Sequence, residues 1–361
     1  MFNIKFQGAI YNCSGYAQIR NIFLGLSKKG HSVRLEPFKS YDNIKFKDEI
    51  DLKRLEKVEL KSPYINVVAG IAPQLRIDSE ASYNIAFSMF ETTEIPDEWV
   101  DYYNQFDEIW TPSEFCKKSY NLKSLNSIVT IMPLGVDSKF FIPKGRIKTG
   151  FTFLSVGKWI DRKGWDLLLK AYTTEFLGNT EVRLCIKTDN SHKTNEELIE
   201  EYVTNVKNLP LPRVMVKNKK IDEVIMPLLY QEADCFVLPS RGEAFCLPYL
   251  EAMSSGLPVI YGDFGGQMDF IKDEFGWPVV VDSMKKLSNR LCKINAAYKN
   301  KWFAEPSIDS LKKAMRDAYE NRDKGILKGR KAREFVKSNF DWNIVVDKAE
   351  KRLMEISRAL N

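Results

Sequence analysis

Short apolar runs recur down this chain with segments of helical period between them, and no other property of the sequence restricts the fold as much. In the first half Phe2–Phe6, His31–Pro37, Ile65–Ile71, Tyr83–Phe90, Glu108–Thr111 and Val129–Met132 read as strands. In the second, Phe151–Val156, Val182–Lys187, Arg213–Val216, Cys235–Leu238, Pro258–Tyr261 and Trp277–Val281 do the same. Runs this short and this apolar suit parallel strands covered on both faces. Between them the spacing predicts helices over Tyr16–Lys29, Pro96–Gln105, Ser113–Asn121, Trp165–Tyr172, Asn195–Asn208, Ile221–Glu232 and Leu247–Met253, with a charged helical tail over Ile308–Leu360. Strand and helix in alternation make βαβ units, so the fold class is α/β. At 361 residues the chain exceeds what one core serves. The polar, basic segment Pro143–Gly150 is the natural linker, and two successive α/β domains follow.

One stretch carries the clearest chemistry. Ser240–Gln267 opens behind the apolar run Cys235–Leu238, continues through a tight loop, and enters a helix closed by Ser254-Ser255-Gly256. Glu243 falls in the loop and Glu251 inside the helix. A helix N-terminus at the carboxyl end of such a strand presents unpaired N–H groups and a positive dipole end, which suits a phosphate. An anion seat with two carboxylates beside it fits a sugar nucleotide.

Composition narrows the classes. Lys plus Arg number 54 against 48 Asp plus Glu, a net charge of +6. That mild excess is compatible with anionic ligands, but no dense basic run or aromatic-basic motif points to nucleic acid. The cysteines at 13, 116, 185, 235, 246 and 292 include no C-x-x-C pair and no zinc spacing, and read as reduced thiols of a cytoplasmic protein. No apolar run approaches the length of a membrane span and Met1–Ile10 is no signal peptide, so a soluble protein is expected, with peripheral attachment to a membrane left open.

Several local motifs, in order, resemble one family. Pro133-Leu-Gly-Val-Asp137, then Phe153-Leu-Ser-Val-Gly157 with Arg162-Lys163-Gly164, then the E-x7-E pair Glu243 and Glu251, are similar to the motifs of the retaining glycosyltransferases of family 4. The resemblance implies the GT-B fold: two Rossmann-like domains facing across a cleft, the first over 1–145, the second over 146–340. Asp341-Trp342 resembles the point where the terminal helix, 341–361, crosses back to the first domain.

The resemblance also implies roles. Lys158 and Lys163 match the two basic residues aimed at the diphosphate, where departure of the leaving group needs fixed positive charge. Relatives more often carry Arg at the position of Lys158. Glu243 matches the carboxylate on the donor sugar's hydroxyls, and Glu251 the one on the ribose. Backbone N–H groups from Ala244, Phe245, Cys246 and Leu247 would face sugar and phosphate, although Cys246 stands where the family has glycine. Gly15, with Tyr16, Ala17 and Arg20, resembles the loop and helix start across the cleft. Glu91, in Met89–Glu94, occupies a strand end where many relatives have a histidine, and Gly265-Gly266 is a turn that brings backbone to the sugar. His31 reads as a strand opener and His192 has no place in the site.

The function so implied is a retaining, metal-independent transfer of a sugar from a nucleoside-diphosphate sugar, UDP-sugar first and GDP-mannose second, to a carbohydrate or lipid-linked acceptor. No cofactor and no metal are required, and no D-x-D motif is present. Rival readings are a nucleotide-sugar epimerase and a catalytically silent sugar-nucleotide-binding protein; a nicotinamide-dependent dehydrogenase lacks its G-x-G-x-x-G after the first strand.

Overall fold

The computed structural model describes residues 1–12, 14–39, 42, 44–144, 150–189, 194, 197, 213–286 and 296–360. The predicted helix Asn195–Asn208, apart from residue 197, and His192, Cys13 and Cys292 lie outside the described residues.

The first domain runs β1 (Asn3–Gly8), α1 (Gly15–Gln18), α2 (Arg20–Lys28), β2 (Ser32–Pro37), α3 (Glu49–Leu55), β3 (Ile65–Ala69), β4 (Tyr83–Phe87), α4 (Val100–Tyr103), β5 (Glu108–Thr111), α5 (Glu114–Asn121) and β6 (Ile128–Ile131). Its strands form one parallel sheet in the order β2-β1-β3-β4-β5-β6. The second domain runs β7 (Phe151–Val156), α6 (Trp165–Glu175), β8 (Val182–Thr188), β9 (Arg213–Asn218), α7 (Met226–Gln231), β10 (Cys235–Leu238), α8 (Leu247–Ser254), β11 (Val259–Gly262), β12 (Gly276–Val279), β13 (Val281–Lys286), β14 (Trp302–Pro306), α9 (Ile308–Glu320) and α10 (Arg322–Asn339). Its main sheet is also parallel, ordered β12-β11-β10-β7-β8-β9. α11 (Trp342–Leu360) ends the described chain.

These two sheets are a doubly wound pair. In each, the connection from one central strand goes to the left and from its neighbour to the right, and the carboxyl ends of such strands open a crevice. In the second sheet the pair is β7 and β10; in the first it is β1 and β3. The loops that follow β7, β10 and β1 are those in which the sequence places Lys158, Lys163, Glu243 and Gly15.

Local signals account for much of the rest. Ser113 caps α5 through its hydroxyl, which accepts from the Cys116 N–H. All four residues of β10 are fully buried, as a central strand requires. Several expectations need correction: the helix expected over Tyr16–Lys29 breaks at Ile19 into α1 and α2, and that expected over Ile221–Glu232 is a 3₁₀ turn, Glu223–Ile225, followed by α7. The helix expected over Pro96–Gln105 is one 3₁₀ turn, Asp97–Trp99, followed by α4, with Pro96 at the cap rather than inside. The strand expected to end at Val281 stops at Val279, and Val281 starts an antiparallel hairpin of β13 and β14. That hairpin was illegible because β13 is mostly exposed and polar and its partner begins 16 residues after β13 ends, so no tight-turn signal links them.

α11 packs on the first domain. Lys29 on the α2 side pairs with Asp347 at 2.6 Å, His31 meets Glu350 at 2.7 Å, and Arg352 reaches the fully buried Glu108 of β5 at 2.8 Å. The crossing is a parallel bridge between Val136 and Asp341. No helix among the described residues is long and apolar enough to cross a membrane.

Candidate active site

α8 explains why one glutamate matters. Six of its eight residues are buried, so it is apolar nearly all round and sits in the core behind the cleft. Glu251 is its only charged residue, and it lines the cleft, accepting from the Tyr230 hydroxyl. Burial pushes its carboxyl up to about 7, against the lowering effect of that hydrogen bond.

The N-terminus of α8 also opens on the cleft. Its cap residue, Cys246, makes no side-chain capping hydrogen bond, and Phe245, Cys246 and Leu247 all line the space. Cys246 has φ 73° and ψ 75°, the left-handed region. This is the physical reason a glycine suits the position, since an L side chain there costs about 1–2 kcal/mol. The chain adopts the glycine geometry regardless, with the Cys246 thiol buried; burial and the nearby Glu243 push that thiol up.

The loop after β7 faces the loop after β10. Lys163 Nζ lies 2.6 Å from Glu243 Oε1 and Arg162 lies 3.2 Å from Glu243 Oε2. All three side chains are buried. Burial opposes the charge on Glu243, but Lys163 and Arg162 outweigh it and hold the carboxyl below its ordinary value. Lys158 is exposed, lines the same cleft, and fixes its loop by accepting the Trp165 indole N–H on its carbonyl at 2.8 Å.

The cleft between the domains encloses about 680 Å³. It brings together Lys158, Lys163, Glu243, Ala244, Phe245, Cys246, Leu247 and Glu251 from one side with Gly15, Tyr16 and Glu91 from the other. Tyr16 is tied in place by exchanging hydrogen bonds with Met89, 2.9 Å to its carbonyl and 2.8 Å from its N–H. Gly265 and Gly266 are not in the cleft wall. They stand behind it: a Cβ on Gly266 would fall 1.9 Å from the Ala244 carbonyl oxygen, and the Gly266 N–H donates to the Glu243 carbonyl at 2.7 Å. Gly266 thus backs the Glu243–Ala244 backbone of the loop after β10.

Two participants escaped the sequence reading. Arg162, one residue before Lys163, is the buried cation between Glu243 and Glu91, and Tyr298, from the segment before β14, donates to Glu91 at 2.8 Å. Arg162-Lys163-Gly164 marked a basic loop, but nothing in the sequence assigned the arginine; Tyr298 carries no signal. Among the described residues no three of His, Cys, Asp and Glu are grouped as metal ligands.

Residues 137–296 match the family model described as Glycosyl transferases group 1. The match falls almost wholly in the second domain. The chain is 28% identical over 161 residues to mannosylfructose-phosphate synthase of Agrobacterium fabrum, covering 41% of this chain and 35% of that protein. It is 26% identical over 193 residues to the UDP-Gal:alpha-D-GlcNAc-diphosphoundecaprenol alpha-1,3-galactosyltransferase of Escherichia coli, covering 50% of this chain and 48% of that one. The chain thus spans less than half the length of these curated relatives. Among solved structures, sucrose-phosphate synthase from Thermosynechococcus elongatus shares the fold of the whole chain, with TM-score 0.71 and 15% identity over 99% of this chain and 100% of that one.

Proposed function

We propose that this protein transfers a glycosyl group, with retention, from a nucleoside-diphosphate sugar held on the group 1 domain to a carbohydrate or lipid-linked acceptor presented by the first domain. One observation carries the reading. At the β7/β10 switch point a buried lysine and arginine, a buried carboxylate and an uncapped helix N-terminus converge on one cleft.

Each part has a task on such a donor. Lys163 and Lys158, with the first N–H groups of α8, offer positive charge where the β-phosphate leaves. Glu243 accepts hydrogen bonds from the sugar's hydroxyls, and Glu251 from the ribose. The leaving phosphate itself takes the acceptor's proton, so no protein nucleophile is needed and no metal enters. A UDP-sugar comes first, in keeping with the UDP-galactose in one relative's name, and GDP-mannose second.

The test is a thermal-shift screen of UDP-, GDP- and ADP-sugars, since a ligand that binds the folded state raises Tm, followed by turnover of the stabilising donor with EDTA present. A donor that raises Tm and is consumed with the α configuration kept supports the reading. A strict metal requirement, or inversion at the anomeric carbon, refutes it.

A further inference from the structure

Arg162 is held from both domains at once. Its guanidinium reaches Glu243 Oε2 at 3.2 Å and Glu91 Oε1 at 3.0 Å, and it donates to the Gly242 carbonyl. Glu91 sits on the loop after β4 in the first domain. Its second oxygen accepts from the Tyr298 hydroxyl at 2.8 Å, a group of the second domain. The backbones are equally close there: a Cβ on Gly242 would stand 2.5 Å from the Glu91 carbonyl oxygen. Two side chains of the second domain therefore grip one carboxylate of the first.

The charges explain what the grip is for. Glu91 and Glu243 balance Arg162 and Lys163, so the four groups are neutral together. Lys163 is a compact cation on a flexible stem and can turn toward a diphosphate, whereas the planar arginine fork is fixed by its acceptors. Once Lys163 turns, Arg162 is the cation Glu243 retains, and a buried carboxylate left without one is strongly disfavoured. Glu91 holds the other edge of Arg162, beside the Gly242 carbonyl.

We propose that Glu91 is a closure latch: gripped by Arg162 and Tyr298, it sets Arg162 against Glu243, so the donor-side carboxylate is correctly oriented only when the two domains are closed. The inference rests on reading the cleft as the seat of a nucleoside-diphosphate sugar. It gives Glu91 a positioning role in place of direct contact with donor or acceptor, and couples donor activation to the arrival of the acceptor-bearing domain.

The experiment compares the full-length protein with Glu91→Gln and Tyr298→Phe, both near-isosteric. Glu91→Gln is expected to melt cooperatively, to bind UDP or GDP within about threefold of the parent, to show a larger radius of gyration in solution scattering, and to lower kcat by roughly ten- to a hundredfold, the scale of a small misplacement of catalytic groups. Tyr298→Phe, which keeps the ion pair, shifts kcat and scattering the same way but less. Parent-like scattering and kcat in Glu91→Gln overturn the latch. So does a loss of nucleotide affinity and cooperative melting without any separate effect on kcat, which marks Glu91 as merely structural. Should Glu91→Gln fail to fold, Tyr298→Phe decides by the same two readouts. If the parent turns over no sugar nucleotide, the glycosyl-transfer reading fails, and the scattering comparison still decides the latch.

Discussion

Lys163 Nζ lies 2.6 Å from Glu243 Oε1, so the cation proposed for the leaving phosphate and the carboxylate proposed for the sugar hold one another. On that proposal a nucleotide sugar separates them, placing phosphate on one and hydroxyls on the other. The pair is buried, and Arg162 stands by to keep Glu243 neutralised during the exchange.

Removing either partner therefore has different consequences. Glu243→Gln releases Lys163, so affinity for a free nucleoside diphosphate holds or rises while transfer falls by roughly a hundredfold or more, the scale of losing a charged group at the reacting centre. Calorimetry with UDP and GDP beside a turnover assay checks this; a large loss of nucleotide affinity in the variant contradicts the exchange.

Lys163→Ala is expected to lower both transfer and nucleotide affinity, because Glu243 keeps Arg162 but the phosphate loses its mobile cation. The fold survives, since Glu243 stays paired. A variant with unchanged kcat/KM removes Lys163 from the site.

Glu251 makes donor affinity depend on pH. Its carboxyl, raised to about 7 by burial, is mostly protonated below that pH and ionised above it. Only the ionised form accepts from both ribose hydroxyls, so nucleotide-sugar binding tightens as pH rises through 7 and a proton is released on binding. For stability the sign is opposite: the fold prefers the neutral carboxyl, so stability from this group is present below its unfolded value and is lost as pH rises toward 7. Titrating Kd from about pH 6 to about pH 8 in parent and Glu251→Gln checks it; a nucleotide sugar is the probe, because its diphosphate does not titrate there. A pH slope that persists in the variant refutes the assignment.

Cys246 tests the left-handed cap. Cys246→Gly keeps the backbone free to hold φ 73° and is expected to leave stability within about 1 kcal/mol, strain relief offsetting the more flexible unfolded chain. Cys246→Val puts a β-branched side chain in that region and costs about 1–3 kcal/mol with weakened donor binding. Denaturant melts of the two variants give the comparison; equal stability for both means the cap is not strained.

Gly266→Ala probes the backing of the donor loop. The added Cβ would sit 1.9 Å from the Ala244 oxygen, which cannot be tolerated without moving the Glu243–Ala244 backbone. Donor binding is expected to be lost even though residue 266 lines no part of the cleft. Parent-like affinity would mean the loop is not braced there.

The site was legible wherever its parts are close in sequence. β10, the loop with Glu243 and α8 with Glu251 lie within twenty residues, and the apolar run, the helical spacing and the closing Ser254-Ser255-Gly256 single them out. Gly265-Gly266 was legible as a turn but not as to which surface it faces, because a turn residue's neighbours come from another loop.

The alternation of apolar runs and helical segments is a local property of the chain, since burial on both faces of a strand demands it, and it sufficed for two α/β domains and for placing Glu243 in the loop and Glu251 in the helix of one switch point; Lys163 entered only through the resemblance of its motif. Which charges meet across the cleft is not local. Arg162, Glu91 and Tyr298 come from three distant segments, and their 3.0 and 2.8 Å contacts exist because two sheets close on each other and the segment before β14 reaches over the joint. The same packing turned Cys246 into a left-handed cap and raised the Glu251 carboxyl, since both depend on the surroundings that tertiary structure places around a residue rather than on the residue itself.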